Sequence, residues 1–131
     1  MNSKVLGLLL SAFISVSAHA EPLADYDALY DHCVEQAGAI NNSVVMMCAN
    51  EVSSLANSEI KRRYQAIYAY LLSENAADAD LFSASQKAWR SYRNSHCQLA
   101  GTYVGSPMYD FCPMNLNAAR ALQLRELEQN E

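Results

Sequence analysis

Four cysteines in two equally spaced pairs limit what this chain can fold into more than any other feature. Cys33 and Cys48 are fifteen residues apart, as are Cys97 and Cys112. An even number of cysteines is typical of disulfides when a short chain is exported, and residues 1–20 have the pattern of an export signal. Four cysteines allow three pairings, and the equal spacing favours the two local ones, Cys33 with Cys48 and Cys97 with Cys112. Each such bridge should stabilise the fold by about 3 kcal/mol.

A zinc site is the alternative use of these cysteines. His32 and His96 each precede a cysteine and could join it as ligands. The cysteine pairs nevertheless lack the spacing of about two to four residues that zinc motifs commonly have. The sequence therefore favours disulfides, with no metal and no cofactor.

The first twenty residues have the pattern of a signal peptide. Lys4 supplies one positive charge, an apolar run extends from Val5 to Val16, and the segment closes on the small residues Ala18 and Ala20. The run is about a dozen residues long, short of the roughly 20 that span a bilayer, so an uncleaved anchor is disfavoured. We predict a signal peptide at 1–20, a mature domain at 21–131, a periplasmic or secreted location and no membrane attachment after cleavage.

The mature chain is acidic, and its charge is unevenly distributed. Removing Lys4 takes one of nine Lys and Arg residues and leaves fourteen Asp and Glu, for a formal charge of about −6. Nucleic acid is therefore not an expected partner. The first Lys or Arg of the mature chain is Lys61, and the acids that precede it include Glu21, Asp25, Asp27, Asp31, Glu35 and Glu51. This acidic segment suits a solvated face or the attraction of a basic protein.

Helical periodicity dominates the rest of the sequence. A first helix is expected from about Leu23 to Ala37, where Gly38 ends it. Ser43 can cap a second helix, whose apolar residues recur at spacings of three to five. These positions are Val45, Cys48, Val52, Leu55, Ile60, Tyr64, Ile67 and Leu71.

A third helix is expected after the polar stretch that ends near residue 80. Asp78 or Asp80 can cap this helix, and Gly101 is predicted to close it. Its predicted core stripe consists of Leu81, Ser85, Ala88, Trp89, Tyr92, His96 and Leu99.

A turn-rich segment from Thr102 to Asp110 leads to the last helix. Pro113 suits the first position of that helix, which should run to about Leu127. Strand patterns are scarce, so the predicted class is all-α: a small four-helix, bundle-like domain stapled by two disulfides. An up-down arrangement would place all four cysteines at one end.

The sequence offers little for catalysis. A hydrolase needs a nucleophile and a base in hydrogen-bond reach, but His32 and His96 each adjoin a cysteine expected to be oxidised. None of the acids is embedded in an apolar run that would raise its pKa, so all are interpreted as solvated. We therefore expect no catalytic residues and no enzyme, with an uncharacterised hydrolase as the least favoured alternative.

The segment from Ser85 to Arg93 is the richest in large side chains. Trp89 and Tyr92 fall on the predicted stripe, so both are interpreted as core anchors rather than ligand contacts. Arg93 and Arg120 are expected to bond helix-end carbonyls or to pair with an acid.

One ordered set of residues extends through the mature chain: Cys33, Cys48, Ile60, Tyr64, Leu81, Gln86, Trp89, Tyr92, Arg93, Cys97, Gly105, Ser106, Cys112, Arg120 and Leu124. This set resembles the LprI-type lysozyme inhibitor family across essentially all of the mature chain. The stretch from Gln86 through Trp89, Tyr92 and Arg93 to Cys97 is its most specific part. The resemblance implies an exported helical protein that inhibits peptidoglycan-cleaving lysozymes, so the expected partner is a lysozyme.

Three positions depart from the pattern that the resemblance leads us to expect. Asn57 stands in place of an Asp, Lys61 in place of an Asn, and Asn117 in place of a frequent Thr. The departures affect the expected surface behaviour rather than the fold.

The segment from Thr102 to Asp110 is the best candidate for partner binding. It lies inside the expected Cys97 to Cys112 bridge and contains Tyr103, Ser106 and Tyr109, which offer ring area and hydroxyl groups. The simpler interpretation is a tied connection between two helices. The alternative function is a structural or stress-related envelope protein that binds another polypeptide, and the sequence leaves the oligomeric state open.

Overall fold

A computed structural model describes residues 23–129 as four helices. They are α1 (Tyr26–Ala37), α2 (Asn42–Glu74), α3 (Ala76–Tyr103) and α4 (Met108–Glu128). The described part of the chain contains no strand, so the predicted all-α class is confirmed. None of these helices is long and apolar enough to cross a membrane. The predicted signal peptide at 1–20 lies outside the described residues.

The two disulfides are the local pairs that the spacing favoured. Cys33 is bonded to Cys48 with the Cα atoms 5.7 Å apart, and Cys97 to Cys112 with the Cα atoms 5.4 Å apart. The first bridge joins α1 to the start of α2, and the second joins the end of α3 to the start of α4. No free cysteine occurs among residues 23–129.

Capping residues explain where the first two helices begin and end. Asp25 accepts a hydrogen bond from the Ala28 N–H at 3.0 Å, and Gly38 ends α1 at a φ of 80° that suits glycine. The cap of α2 is Asn41, which accepts from the Val44 N–H at 3.1 Å. The prediction of Ser43 as this cap was wrong, because Ser43 already lies inside the helix.

A single residue, Asn75, separates α2 from α3 and caps both. Its backbone N–H donates to the Leu71 carbonyl at 2.7 Å, and its side chain accepts from the Ala77 N–H at 3.1 Å. The predicted caps, Asp78 and Asp80, lie within α3 instead. Asn75 Nδ2 donates to Asp78 Oδ2 at 2.9 Å, so the acid supports the true cap rather than replacing it.

The connection between α3 and α4 is shorter than the predicted segment from Thr102 to Asp110. Helix α3 continues past Gly101 to Tyr103, and α4 begins at Met108, so only residues 104–107 connect them. Gly101 does not end its helix. It is buried there because the Tyr109 ring packs against it, and a Cβ atom at position 101 would overlap that ring.

Pro113 also lies elsewhere than predicted. It is an internal residue of α4 rather than the first. Proline is tolerated best in the first turn of a helix, because the backbone N–H groups there have no acceptor within the helix. Pro113 lies beyond that turn, so α4 begins five residues earlier than the sequence predicted.

Successive helices are antiparallel, and α2 therefore runs parallel to α4. Side-chain pairs fix this order: Asn50 Nδ2 donates to Asp110 Oδ1 at 3.4 Å near one end, and Arg125 bonds Glu59 further along. The most extensive helix interface is the one between α2 and α4. Helix α1 packs against α2 on one side, and α3 packs against both α2 and α4. All four cysteines lie at the end where α2 and α4 begin, as an up-down arrangement requires.

The core lies between α2 and α4 and continues beneath α3. Its buried side chains include Val52, Ala56, Ile60, Ile67, Phe82, Met114, Ala121 and Leu124. The predicted stripe of α3 was largely wrong, since Leu81 is 69% exposed and Leu99 also faces solvent. The inner face is shifted by one residue and consists of Ala79, Phe82, Gln86, Trp89, Arg93 and Cys97.

The contact between Gly101 and Tyr109 yields a prediction about stability. Gly101→Ala should destabilise the domain by about 1–3 kcal/mol, because the overlap with the Tyr109 ring outweighs the helix propensity that alanine adds. Chemical denaturation at pH 7 gives the measurement. In a Tyr109→Ala background, which removes the ring, the same change should be neutral or stabilising. A stabilising effect of Gly101→Ala in the wild-type protein would contradict the packing described.

Candidate functional site

The corner between α3 and α4 brings together the residues predicted to bind a partner. Tyr103 is the last residue of α3 and is 82% exposed, and Val104 and Ser106 in the turn are exposed as well. Tyr109 is on α4, where its ring covers Gly101 and its hydroxyl lies 3.3 Å from Thr102 Oγ1. The corner therefore presents Tyr103 and Ser106 freely, whereas Tyr109 is partly committed to packing.

The residues of the most specific sequence stretch surround Trp89. The guanidinium carbons of Arg93 and Arg120 lie 5.1 and 5.7 Å from the centre of the Trp89 ring, within the range of cation–π attraction. Arg120 Nε also donates to Gln86 Oε1 at 3.0 Å. Trp89 is half-buried against the core, as expected. Tyr92 is not a core anchor: it points to solvent and stacks on His96 with ring centres 5.3 Å apart.

Arg93 is held by amides rather than by an acid or a helix-end carbonyl. Its Nη1 donates to Asn117 Oδ1 at 2.9 Å and to Asn57 Oδ1 at 3.3 Å. Asn117 Nδ2 in turn donates to Ser53 Oγ at 2.8 Å, which connects α3 to α2 through α4. The predicted pairing of Arg93 and Arg120 with an acid or carbonyl was therefore wrong. Burial lowers the pKa of both arginines, and the nearby charge of Arg90 lowers that of Arg93 further.

The three departures from the resembled pattern lie around this arginine. Asn57 and Asn117 accept its hydrogen bonds directly, and Lys61 lies one turn beyond Asn57 on α2. An Asp at position 57 would have given Arg93 a carboxylate partner, so the amide leaves the positive charge unneutralised. Lys61 adds a second positive charge to the same place.

A cleft of about 400 Å³ between α2 and α3 opens beside these residues. We call it the cationic groove. It is lined by Asn57, Ile60, Lys61, Tyr64, Ser83, Gln86, Lys87, Trp89, Arg90 and Arg93. Four of these side chains are cationic, and no Asp or Glu is among them. The sequence alone does not place these bases in one groove, because that requires knowing which faces of α2 and α3 meet.

A buried ion pair connects α2 to α4, and neither of its members lines the groove. Glu59 is only 7% exposed and accepts hydrogen bonds from Arg125 Nε and Nη2, both at 2.7 Å. Arg63 Nε donates to the same carboxylate at 2.6 Å, and the Tyr26 hydroxyl donates to Glu59 Oε2. Arg125 Nη2 also donates to the Ala24 carbonyl at 2.8 Å, which fixes the chain before α1.

The expectation that every acid is solvated was wrong for Glu59. Sequence analysis missed both members of the pair, although each is placed where a core residue belongs. Glu59 lies between Ala56 and Ile60 on the apolar side of α2, and Arg125 directly follows Leu124 on α4. The sequence signal that could have identified this ion pair is therefore one acid and one base on the apolar faces of two different helices.

The surroundings of Glu59 make it a structural group rather than a catalytic acid or base. The hydrogen bonds from Arg125 hold the pKa of Glu59 at about 2, well below the ordinary value of 4.5. Burial, together with the bond to Glu59, raises the pKa of Tyr26 to about 12. Both carboxylate oxygens are occupied by donors, so Glu59 stays ionised near neutral pH and has no free position for a substrate proton.

Other candidates for chemistry are not assembled into a site. His32 and His96 are exposed, and the cysteines beside them are in disulfides. Within residues 23–129, no group of three or more His, Cys, Asp or Glu side chains is arranged to hold a metal ion.

Fold and surface together define a small helical domain, stapled by two disulfides, that presents an exposed aromatic corner and a cationic groove. Its sequence matches the family model described as lysozyme inhibitor LprI over residues 33–124, well over half of the chain. The chain therefore belongs to the LprI lysozyme inhibitor family. The match extends from the first cysteine to Leu124 and so includes both disulfides and the residues around Trp89. Neither the curated proteins nor the solved structures contain a match to this chain.

The low pKa of Glu59 predicts how stability depends on pH. The folded state binds the Glu59 proton more weakly than the unfolded state does, so the stabilisation is complete above about pH 4.5 and is lost as pH falls toward 2. The expected loss is about 3 kcal/mol, measured by urea unfolding at pH 7 and at lower pH.

Two variants isolate the contribution of Glu59. Glu59→Gln should lose about 3–5 kcal/mol at pH 7, because it leaves Arg125 buried without its counter-charge, and it should flatten the acid dependence. Glu51→Gln changes an exposed acid on the same helix and should keep the wild-type dependence. An unchanged acid dependence in Glu59→Gln would show that another group causes it.

Proposed function

We propose that this protein is an exported lysozyme inhibitor, which acts by occluding the cleft of the enzyme and performs no chemistry of its own. The observation that carries the proposal is the family match, because the family is described by lysozyme inhibition. The two disulfides support a periplasmic or secreted location, where an oxidising environment keeps such bonds intact. The predicted signal peptide agrees with this location.

The corner between α3 and α4 supports occlusion as the mechanism. Tyr103 and Val104 are 82% and 76% exposed, so they form a protruding apolar edge that could enter a concave cleft. The Cys97–Cys112 bridge ties the two helices directly behind this edge. A corner that is already ordered loses little conformational entropy on binding, which favours affinity.

The charge of the protein supports an approach to basic lysozymes. Helix α1 carries Asp27, Asp31 and Glu35, all exposed, and contains no Lys or Arg. This helix reaches the same end of the bundle as the corner, since Cys33 is bonded to Cys48 there. Animal-type lysozymes are basic, so an acidic surface beside the corner would raise the rate of encounter.

The first test is inhibition of peptidoglycan lysis. Oxidised protein comprising residues 21–131 is titrated into animal-type, goose-type and invertebrate-type lysozymes acting on a peptidoglycan suspension. We expect saturating inhibition near one-to-one stoichiometry with at least one class, because occlusion requires one inhibitor for each cleft. No inhibition of any class would reject the proposal in favour of an envelope protein that binds another polypeptide.

The corner can be tested by a single exposed side chain. Tyr103→Ala should weaken inhibition about tenfold, equivalent to roughly 1.4 kcal/mol, because it removes the ring that would be buried in the cleft. Tyr109 is less suitable, since its ring also packs on Gly101. Tyr70→Ala is the matched control, because Tyr70 is also exposed but lies near the opposite end of α2. Equal inhibition by Tyr103→Ala and wild type would exclude the corner as the inhibitory surface.

A further inference from the structure

Half of the basic side chains outside the leader lie in one groove of an acidic domain. Nine Lys and Arg occur in the chain, and Lys4 in the predicted leader leaves eight. Four of these eight line the cationic groove: Lys61, Lys87, Arg90 and Arg93. This clustering of cations contrasts with the net charge of about −6 of the mature chain. The proposed inhibition by the corner between α3 and α4 does not account for it.

The cations of the groove are not neutralised within the described part of the chain. The three salt bridges found between residues 23 and 129 all involve Arg63 or Arg125, with Glu59 and Glu128 as their acids. Lys61, Lys87 and Arg90 are exposed. Like charges gathered without counter-charge repel one another, so a bound anion would relieve that repulsion.

The spacing of the cations suits a ligand with more than one negative group. Lys87, Arg90 and Arg93 are three residues apart on α3, so they follow one side of the helix over about 9 Å at a rise of about 1.5 Å per residue. Lys61 faces them from α2 across the groove. The volume of about 400 Å³ lies within the range of small-ligand sites.

The other groups in the groove favour a peptide over a sugar. The guanidinium groups of Arg93 and Arg120 already lie over the Trp89 ring, so they would compete with a saccharide for stacking on it. Asn57 and Ser83 contribute an amide and a hydroxyl, which can form hydrogen bonds with the backbone of a peptide.

We propose that the cationic groove binds a short acidic peptide that carries two or more carboxylates. Lys61 and Arg90 would contact the carboxylates from opposite sides, and Arg93 would provide charge at the base of the groove. This activity goes beyond lysozyme inhibition and uses a different surface. A basic lysozyme would be repelled by the groove, whereas the acidic face of α1 would attract it.

Trp89 provides a direct measurement of binding. It is the single tryptophan of the chain, and it lines the groove. Titration of the oxidised protein with a triglutamate peptide should change its fluorescence saturably, and added salt should weaken the binding through screening. A neutral triglutamine peptide should cause no saturable change. Absence of a saturable response to triglutamate would overturn the proposal.

A pair of variants tests whether the groove is the binding surface. The double change Lys61→Gln and Arg90→Gln should weaken triglutamate binding at least tenfold, because it removes one exposed cation from each wall. Arg62→Gln is the control: residue 62 is exposed and adjacent to Lys61, but adjacent helical residues point about 100° apart and Arg62 does not line the groove. Equal binding by the double variant and the control would overturn the proposal.

Two further measurements define the ligand class and separate the two proposals. Inorganic phosphate that binds as tightly as triglutamate would reduce the groove to a general anion site and overturn the assignment to a peptide. Tyr103→Ala should leave triglutamate binding unchanged, and the double groove variant should leave lysozyme inhibition unchanged. The proposal for the corner and the proposal for the groove can therefore be rejected independently of each other.

Discussion

Helices α2 and α4 run parallel through the centre of the domain, and the ion pair between Glu59 and Arg125 fixes their relative position. A buried carboxylate is costly unless its charge is compensated, and here Arg125 supplies two hydrogen bonds of 2.7 Å. A shift of α4 along α2 would separate the charges in a site that water barely reaches. The pair therefore penalises alternative alignments of the two helices, and α1 and α3 pack on the pair of helices so aligned.

Helix α1 illustrates how the ion pair and the disulfide act together. A polar helix of twelve residues is marginal by itself, because short helices recover little of their nucleation cost. The Cys33–Cys48 bridge holds its second half, while its first residue, Tyr26, donates to Glu59. Arg125 also bonds the Ala24 carbonyl just before the helix. Contacts at both ends therefore hold α1 in place, although its acidic side chains remain exposed to solvent.

The sequence predicted the features that depend on local patterns and missed those that depend on which faces meet. Helix number, the end of α1 at Gly38 and the local cysteine pairing all follow from spacing and capping rules. The predicted core stripe of α3 was displaced by one residue because it followed the large side chains of Leu81 and Tyr92. The actual inner face includes the polar residues Gln86 and Arg93. Polar residues can occupy that face only because partners on α2 and α4 satisfy them, and periodicity does not reveal those partners.

The candidate site was likewise predictable only where it depends on local sequence patterns. The sequence identified Trp89, Arg93 and Arg120 as parts of one motif. Their interpretation changed because the structure places them together beside Asn57 and Asn117. A linear sequence shows how many cations a segment contains, but not whether an acid from another helix neutralises them. Among residues 23–129, the acids found in salt bridges are Glu59 and Glu128, and they pair with Arg63 and Arg125 instead.

The two proposed partners differ in charge, and the domain keeps its acidic and its cationic side chains on separate surfaces. On α2, Glu59 faces α1 and α4, whereas Lys61 lies two residues further, about 200° around the helix, and faces the groove. Screening limits direct charge interactions to about 8–10 Å at physiological ionic strength. Within that distance a ligand experiences the local cations of the groove rather than the net charge of the protein. The acidic face and the cationic groove can therefore act side by side without cancelling each other.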